Sequence, residues 1–339
     1  MTGPVATFPD AGPALRRAGR SALARSVESA MRRVPEGGTV LVAASGGADS
    51  TALALLAVAV AKRGRWRVAL ATVDHGLRAE SAHDAAFVRA LGAWLGVPVV
   101  ARKVQVTPGT QVSASARKAR YRALADMAGE MQAAAVLVAH HAEDQFETML
   151  MRLVRGSGAR AASGMPAVRR LRNGVRVVRP LLEHGREALR ALLAQAELAW
   201  REDPGNANED RPRGRLRHRI LPELNRLAPG AAVRASRTAR RVRGAAAALR
   251  REASVLLPGA GPWGRSSLRA AARETLAEAL RRRFPGAGGD QVDRCVQAIR
   301  RRDTRQRRCR LGERELVIGV ATVGDLAPAR VPDAVSGTR

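Results

Sequence analysis

The residues whose types and spacing could carry chemistry begin with Ser45-Gly46-Gly47-Ala48-Asp49-Ser50, set between the β-branched run Val40-Leu41-Val42 and an apolar stretch long enough for a helix. Paired glycines let the backbone approach a bound group with no Cβ in the way. A helix that starts directly after them leaves its first N–H groups unpaired at the positive end of its dipole, so the occupant this turn suits is an anion, phosphate foremost. Ser45 and Ser50 add hydroxyl donors. Asp49 would repel phosphate by itself; it either caps the helix or holds a hard cation such as Mg2+ against phosphate oxygens. No Lys follows the glycines, so GxxxxGK[ST] is absent and a P-loop NTPase is disfavoured.

Two further clusters follow predicted strands. Asp74-His75-Gly76 ends the run 67–73; it either caps the next helix or contributes to an ATP site beside the first turn. His140, His141, Glu143 and Asp144 end the run 134–139; HExxH spacing is absent and no cysteine lies near, which disfavours a transition metal and leaves Asp144 a hard-metal or substrate role. On the predicted helix 113–131, Arg117 shares a face with Arg120 and Tyr121. That face is either solvated or turns its guanidinium forks to a phosphate or a base.

The elements that must position these residues alternate. Strands are predicted at 40–42, 67–73, 98–106, 134–139 and 175–182, with helices after Ser50, over 80–95 and 113–131, after Gln145 through Arg152, and over 187–196. The pattern is that of an α/β fold, a doubly wound parallel sheet with ligands beyond the carboxyl ends of the strands. Residues 1 to about 12 are expected to lack order and 14–34 to form a helix that ends at Pro35-Glu36-Gly37-Gly38. A mostly helical region follows the sheet over 231–283, with a break at 258–262 and a hairpin over 307–320. The expected division is an N-terminal extension and helix over 1–37, a nucleotide domain over 38–224, a mostly helical domain with a C-terminal hairpin over 225–325 and a tail over 326–339.

The 339 residues carry 59 Lys and Arg against 30 Asp and Glu, a formal charge of +29. Such an excess implies a polyanionic partner, nucleic acid first and an anionic membrane surface second. Lys occurs only at 62, 103 and 118, so a compositional bias toward Arg contributes to the excess. Two cysteines, Cys295 and Cys309, give no disulfide framework and fit a reducing cytosol. No apolar run reaches membrane-span length and no secretion signal opens the chain, so a cytoplasmic, membrane-free protein is expected. Oligomeric state is not legible.

Ser-Gly-Gly-x-Asp-Ser resembles the pyrophosphate loop of the PP-loop, or N-type, ATP pyrophosphatases. The ordered set SGGADS, VDHGLR, ARKARY, HHAEDQFET, RGSG, RPLL, WREDPGN and RGRLRHRILPEL is similar to the tRNA(Ile)-lysidine synthase family over roughly residues 38–225. The resemblance implies a PP-loop ATPase fold, adenine nucleotide alpha hydrolase-like, followed by a smaller mostly helical tRNA-binding domain. It implies a ligase that uses ATP and Mg2+ to adenylate C2–O of the wobble cytidine in the CAU anticodon of tRNA(Ile). Free L-lysine then displaces AMP, and codon reading changes from AUG to AUA.

By matching position, Ser45, Gly46, Gly47, Ala48, Asp49 and Ser50 would bind the ATP phosphates, with Asp49 on the metal, and Asp74 and His75 would border the nucleotide. Asp144 and Glu147, with His141, would face lysine and the base; Arg117 and Arg120 would neutralise developing charge or hold the anticodon. The Arg-rich stretch with Arg213, Arg215 and Arg217 would meet tRNA phosphates. Little follows Val320, which matches a short form of the family, and how methionine tRNA is rejected stays open.

Three rivals are weighed. A tRNA thiolase would need thiolates or an iron–sulfur cluster, and CxxC is absent. A small-molecule amidotransferase would not need the basic second region. A non-catalytic RNA-binding nucleotide sensor would have no use for both Asp49 and Asp144.

Overall fold

The computed structural model describes residues 8–64, 66–74, 81–105, 112–155, 162–171, 173–202, 209 and 212–326. Of the features expected from sequence, His75, the turn over 156–158 and the stretch 203–206 lie outside the described residues.

The helix expected over 14–34 is two, α1 (Ala11–Arg20) and α2 (Ala22–Met31). Ser21 between them has an extended backbone, and its Oγ accepts the Ala24 N–H at 3.2 Å, which starts a new helix. Order also begins earlier than expected. Phe8 stacks on Trp94 with ring centroids 5.4 Å apart, the Trp94 indole donates to Pro9 O, and Asp10 caps α1.

Six strands, β1 (Thr39–Ala43), β2 (Arg67–Asp74), β3 (Val99–Lys103), β4 (Ala133–Leu137), β5 (Val168–Arg170) and β6 (Arg176–Val178), form one sheet in the order β3-β2-β1-β4-β6-β5. All neighbours are parallel except β5, antiparallel to β6 at the edge. The strand expected over 175–182 is shorter because Pro180 has no N–H for a ladder. β5 was not legible, because Val168-Arg169-Arg170 has neither an apolar run nor a clear alternation.

The chain runs outward from β1 through β2 to β3, then returns to the other side of β1 at β4. The switch point therefore lies between β1 and β4, and the connections that leave their carboxyl ends flank one crevice. Successive residues of the central strands enter opposite layers. Val40 and Val42 pack with Leu53, Leu56, Leu91 and Leu189, while Leu41 packs with Leu124, Met127 and Val136.

Helix α3 (Ala48–Ala61) leaves the first crevice wall; α4 (Ser81–Leu95), α5 (Val112–Glu130), α6 (Ala142–Leu153) and α7 (Arg186–Gln195) follow. α3 is apolar all round because α1, α2 and α7 cover the side turned from the sheet. A helical segment over 212–227, with a π-helical turn at Leu216–Ile220, completes the part that bears on the site.

Two compact units divide after Arg240, within the helix Ala231–Ala253. The second contains an antiparallel sheet in the order β7-β10-β9-β8, from β7 (Trp263–Gly264), β8 (Arg307–Leu311), β9 (Arg314–Ile318) and β10 (Thr322–Leu326). Its core gathers Leu276, Leu280, Val292, Ile299, Leu316 and Ile318. Buried Arg265 bonds five backbone carbonyls, those of Ala298, Ile299, Arg301, Asp303 and Gly319. Among the described residues no helix is long and apolar enough to cross a membrane.

Candidate active site

The turn after β1 takes the shape its glycines allow. Gly46 has φ +83°, where any side chain is strained, and a Cβ there would crowd Phe87 Cδ1 at 3.1 Å. The Ser50 hydroxyl lies 3.1 Å from both the Ser45 N–H and Ser45 Oγ and donates to Gly47 O at 3.0 Å. Thr51 Oγ1 and the Arg201 N–H both donate to Gly46 O, at 3.3 and 2.9 Å. The loop is thereby fixed with Gly47 at the start of α3 and Ala48 and Asp49 in its first turn.

Across the switch point, the segment after β4 turns His141 and the first turn of α6 toward Asp49. His141 Nε2 is 3.4 Å from Asp49 Oδ2 and 3.5 Å from Asp144 Oδ2, and Nδ1 is 2.8 Å from Glu143 Oε2. Glu143 in turn accepts the Arg186 N–H at the start of α7, at 3.0 and 3.2 Å. Burial works against a charge on His141, but Asp144 and its bonds to Asp49 and Glu143 overcome it and raise the imidazole to about 10. Asp144, despite burial, is held at about 2 by His141, His140, Arg217 and Arg213.

Glu147, one turn further along α6, is fully buried. Its carboxylate accepts Arg213 Nε at 2.6 Å and Arg217 Nε at 2.7 Å, while Arg217 Nη2 reaches Asp144 Oδ1 at 3.1 Å. The arginines expected to meet tRNA phosphates therefore divide. Arg213 and Arg217 turn inward onto carboxylates, and Arg215 stays exposed with Nε on Glu209 O at 3.2 Å.

Asp49 Oδ1 is buried with no hydrogen-bond partner. A buried, unsatisfied carboxylate oxygen beside a glycine turn has the chemistry of a ligand to a hard cation. Among the described residues no three His, Cys, Asp or Glu side chains group to hold a metal.

The PP-loop domain family matches residues 20–224. A tRNA(Ile)-lysidine synthase of Salinispora arenicola is 44% identical over 70% of this chain and 72% of its own length. The chain belongs to the tRNA(Ile)-lysidine synthase family. A Bordetella parapertussis enzyme of the same name is 40% identical over 67% of each chain. The one from Thermus thermophilus is 44% identical over 60% of this chain but 39% of its own. In structure, the chain is similar to the U34-tRNA thiolase NcsA of Methanococcus maripaludis with its [4Fe-4S] cluster, at a TM-score of 0.55 and 16% identity over 65% of this chain and 78% of that one. That likeness concerns the fold; here both cysteines lie in the second unit, Cys295 in the helix Gly289–Arg300 and Cys309 in β8.

Of the family-matched residues, the structure brings together Asp49, His141, Asp144, Glu147, Arg213 and Arg217. Asp74 ends β2, with its carbonyl accepting the Val104 N–H at 2.8 Å. Arg117 and Arg120 lie against Tyr121, at 5.3 and 5.7 Å from the ring centroid. Sequence reasoning missed Glu143 as the third carboxylate on His141, although it stood inside the quoted motif. It also missed Arg179 and Arg201. Both stood inside quoted motifs, Arg179 in RPLL directly after the buried Val177-Val178, and Arg201 in WREDPGN, where its side chain pairs with Asp84 and its N–H holds the glycine turn.

Proposed function

We propose that the chain ligates free L-lysine to C2 of the wobble cytidine of a CAU-anticodon tRNA(Ile), by way of an adenylated cytidine, with AMP and pyrophosphate as products. The observation that carries this reading is the meeting of the glycine turn and Asp49 with His141, Asp144 and Glu147 at the sheet's switch point. The family names support the substrate class.

In this reading the N–H groups of residues 45–50 and the two serine hydroxyls hold the triphosphate with its α-phosphorus toward the cleft. Cytidine C2–O attacks that phosphorus and pyrophosphate leaves. Attack of the lysine ε-amine on C2 then expels the oxygen as part of AMP, a far better leaving group than hydroxide. Asp49 would hold Mg2+, which supplies charge neutralisation on the phosphate oxygens. The chain contributes mainly alignment and a fixed field.

Lysine arrives as an ammonium and must lose a proton before attack. Held at about 2 by its cationic neighbours, Asp144 is a weak base. Two of those neighbours, Arg213 and Arg217, are on the Arg-rich segment expected to meet tRNA phosphates. We read the segment as an exchange: RNA phosphates draw the arginines off, the ε-ammonium takes their place on Asp144 and Glu147, and Asp144 becomes more basic as they leave. Arg117 and Arg120 neutralise charge on the RNA side. Asp74 would border the nucleotide, and His75, outside the described residues, is assigned there from its motif alone.

Asp49→Asn tests the reading at its centre. It should lower pyrophosphate release by about 10²-fold or more with tRNA binding largely retained. Turnover close to wild type would remove Asp49 from the metal site.

A further inference from the structure

Tyr121 on α5 is ringed by four arginines from separate parts of the fold. The guanidinium carbons of Arg169, Arg117 and Arg120 lie 4.7, 5.3 and 5.7 Å from its ring centroid, and Arg179 Nη2 donates to its hydroxyl at 3.4 Å. Arg117 and Arg120 come from α5, Arg169 from β5, and Arg179 directly follows β6. Three cations over one ring must share its two faces, so at least two lie on the same side.

Among the described residues none of the four is ion-paired to a carboxylate; Asp144, whose charge acts on Arg120, is taken by His141, Arg213 and Arg217. Arg179 is 3% exposed, and although Nη1 donates to Pro166 O at 2.8 Å, its Nε is buried without a partner. Buried cations are ordinarily matched by an anion. Here burial and the neighbouring guanidinia push both Arg120 and Arg179 below the usual arginine value. Tyr121, itself buried, is a rigid post under the charges and has no open face for a base.

We propose that Arg117, Arg120, Arg169 and Arg179 bind one phosphodiester of the tRNA backbone beside the reacting nucleotide, which rests on the reading of tRNA as substrate. A tetrahedral phosphodiester presents its free oxygens in different directions and suits guanidinia arriving from three elements; a planar carboxylate is filled by one or two forks. The phosphates of ATP have their own cradle after β1, whereas Arg179 follows β6, with β4 between. Charge from Arg117, Arg120 and Arg179 also reaches His140, the neighbour of His141. A phosphate fixed here sets its nucleotide against the cluster around Asp144.

The test is tRNA binding against salt concentration for wild type and Arg169→Ala, an exposed position where truncation leaves the core intact. The variant should bind about 5–10-fold more weakly and lower the slope of log K on log salt by about one, with KM for lysine and for ATP unchanged. An anticodon stem-loop with one neutral methylphosphonate beside the target should lose at least that factor with wild type, and the same replacement should cost the variant less than it costs wild type. Unchanged affinity and slope would overturn the site. A rise confined to the lysine KM would give the cluster to the amino-acid carboxylate, and one confined to the ATP KM to the nucleotide, either of which also overturns it. Lysine incorporation by wild type on the same tRNA judges the functional reading separately: with incorporation intact and Arg169→Ala indistinguishable from wild type, only the phosphate site fails.

Discussion

At His141, carboxylates from two crevice walls converge on one imidazole: Asp49 from α3, and Glu143 and Asp144 from α6. The folded value of about 10 stands above the ordinary ~6.5, so the protonated ring contributes stability in full below about pH 6.5 and loses it as pH rises through about 10. Asp144 has the opposite sign: its contribution is present above its ordinary value near 4 and is lost as pH falls through about 2. The midpoint of urea unfolding in chelator, without nucleotide, should therefore fall between pH 7 and 10, and His141→Gln should flatten that fall. An equal fall in the variant would separate the ring from the carboxylates. The motif HHAEDQFET made these residue types legible. Which of its acids share the histidine was not, because that depends on the distance between two strand ends rather than on local spacing.

The helical segment over 212–227 carries the main difference between sequence and structure. Alternating arginines at 211–219 read as a basic surface, and Arg215 agrees with that. Arg213 and Arg217, four apart, share a helical face and turn to a fully buried glutamate. The signal for this lay in α6, where Glu147 stands one turn after Asp144, on the crevice side. The π-helical turn at Leu216–Ile220 is a local departure of the kind found where helices serve a site. If the segment works by exchange, wild type should bind lysine several-fold more tightly with tRNA present. Arg217→Gln, which keeps a donor for buried Glu147, should bind it nearly as well without tRNA. Calorimetry that gives one lysine affinity for wild type in both conditions would contradict the exchange.

Over the whole molecule, the alternation of strands and helices made the sheet legible, and its switch point follows from the strand order that this alternation allows. The edge strand β5 and the packed residues 8–10 were not legible, since each depends on a tertiary partner, β6 or Trp94; the break at Ser21 is a local cap that the continuous apolar pattern over 14–34 masked. The second unit is held partly by Arg265, whose five carbonyl bonds give a buried charge a structural use that composition alone reads as one more basic residue. The +29 charge fits a polyanionic partner.

The most direct measurement supplies purified protein with ATP, radiolabelled lysine and tRNA carrying a CAU anticodon, and follows label and nucleotide together. The account predicts lysine in the tRNA with one AMP and one pyrophosphate formed for each; ADP and phosphate as products, or AMP release with no lysine incorporated, would contradict it.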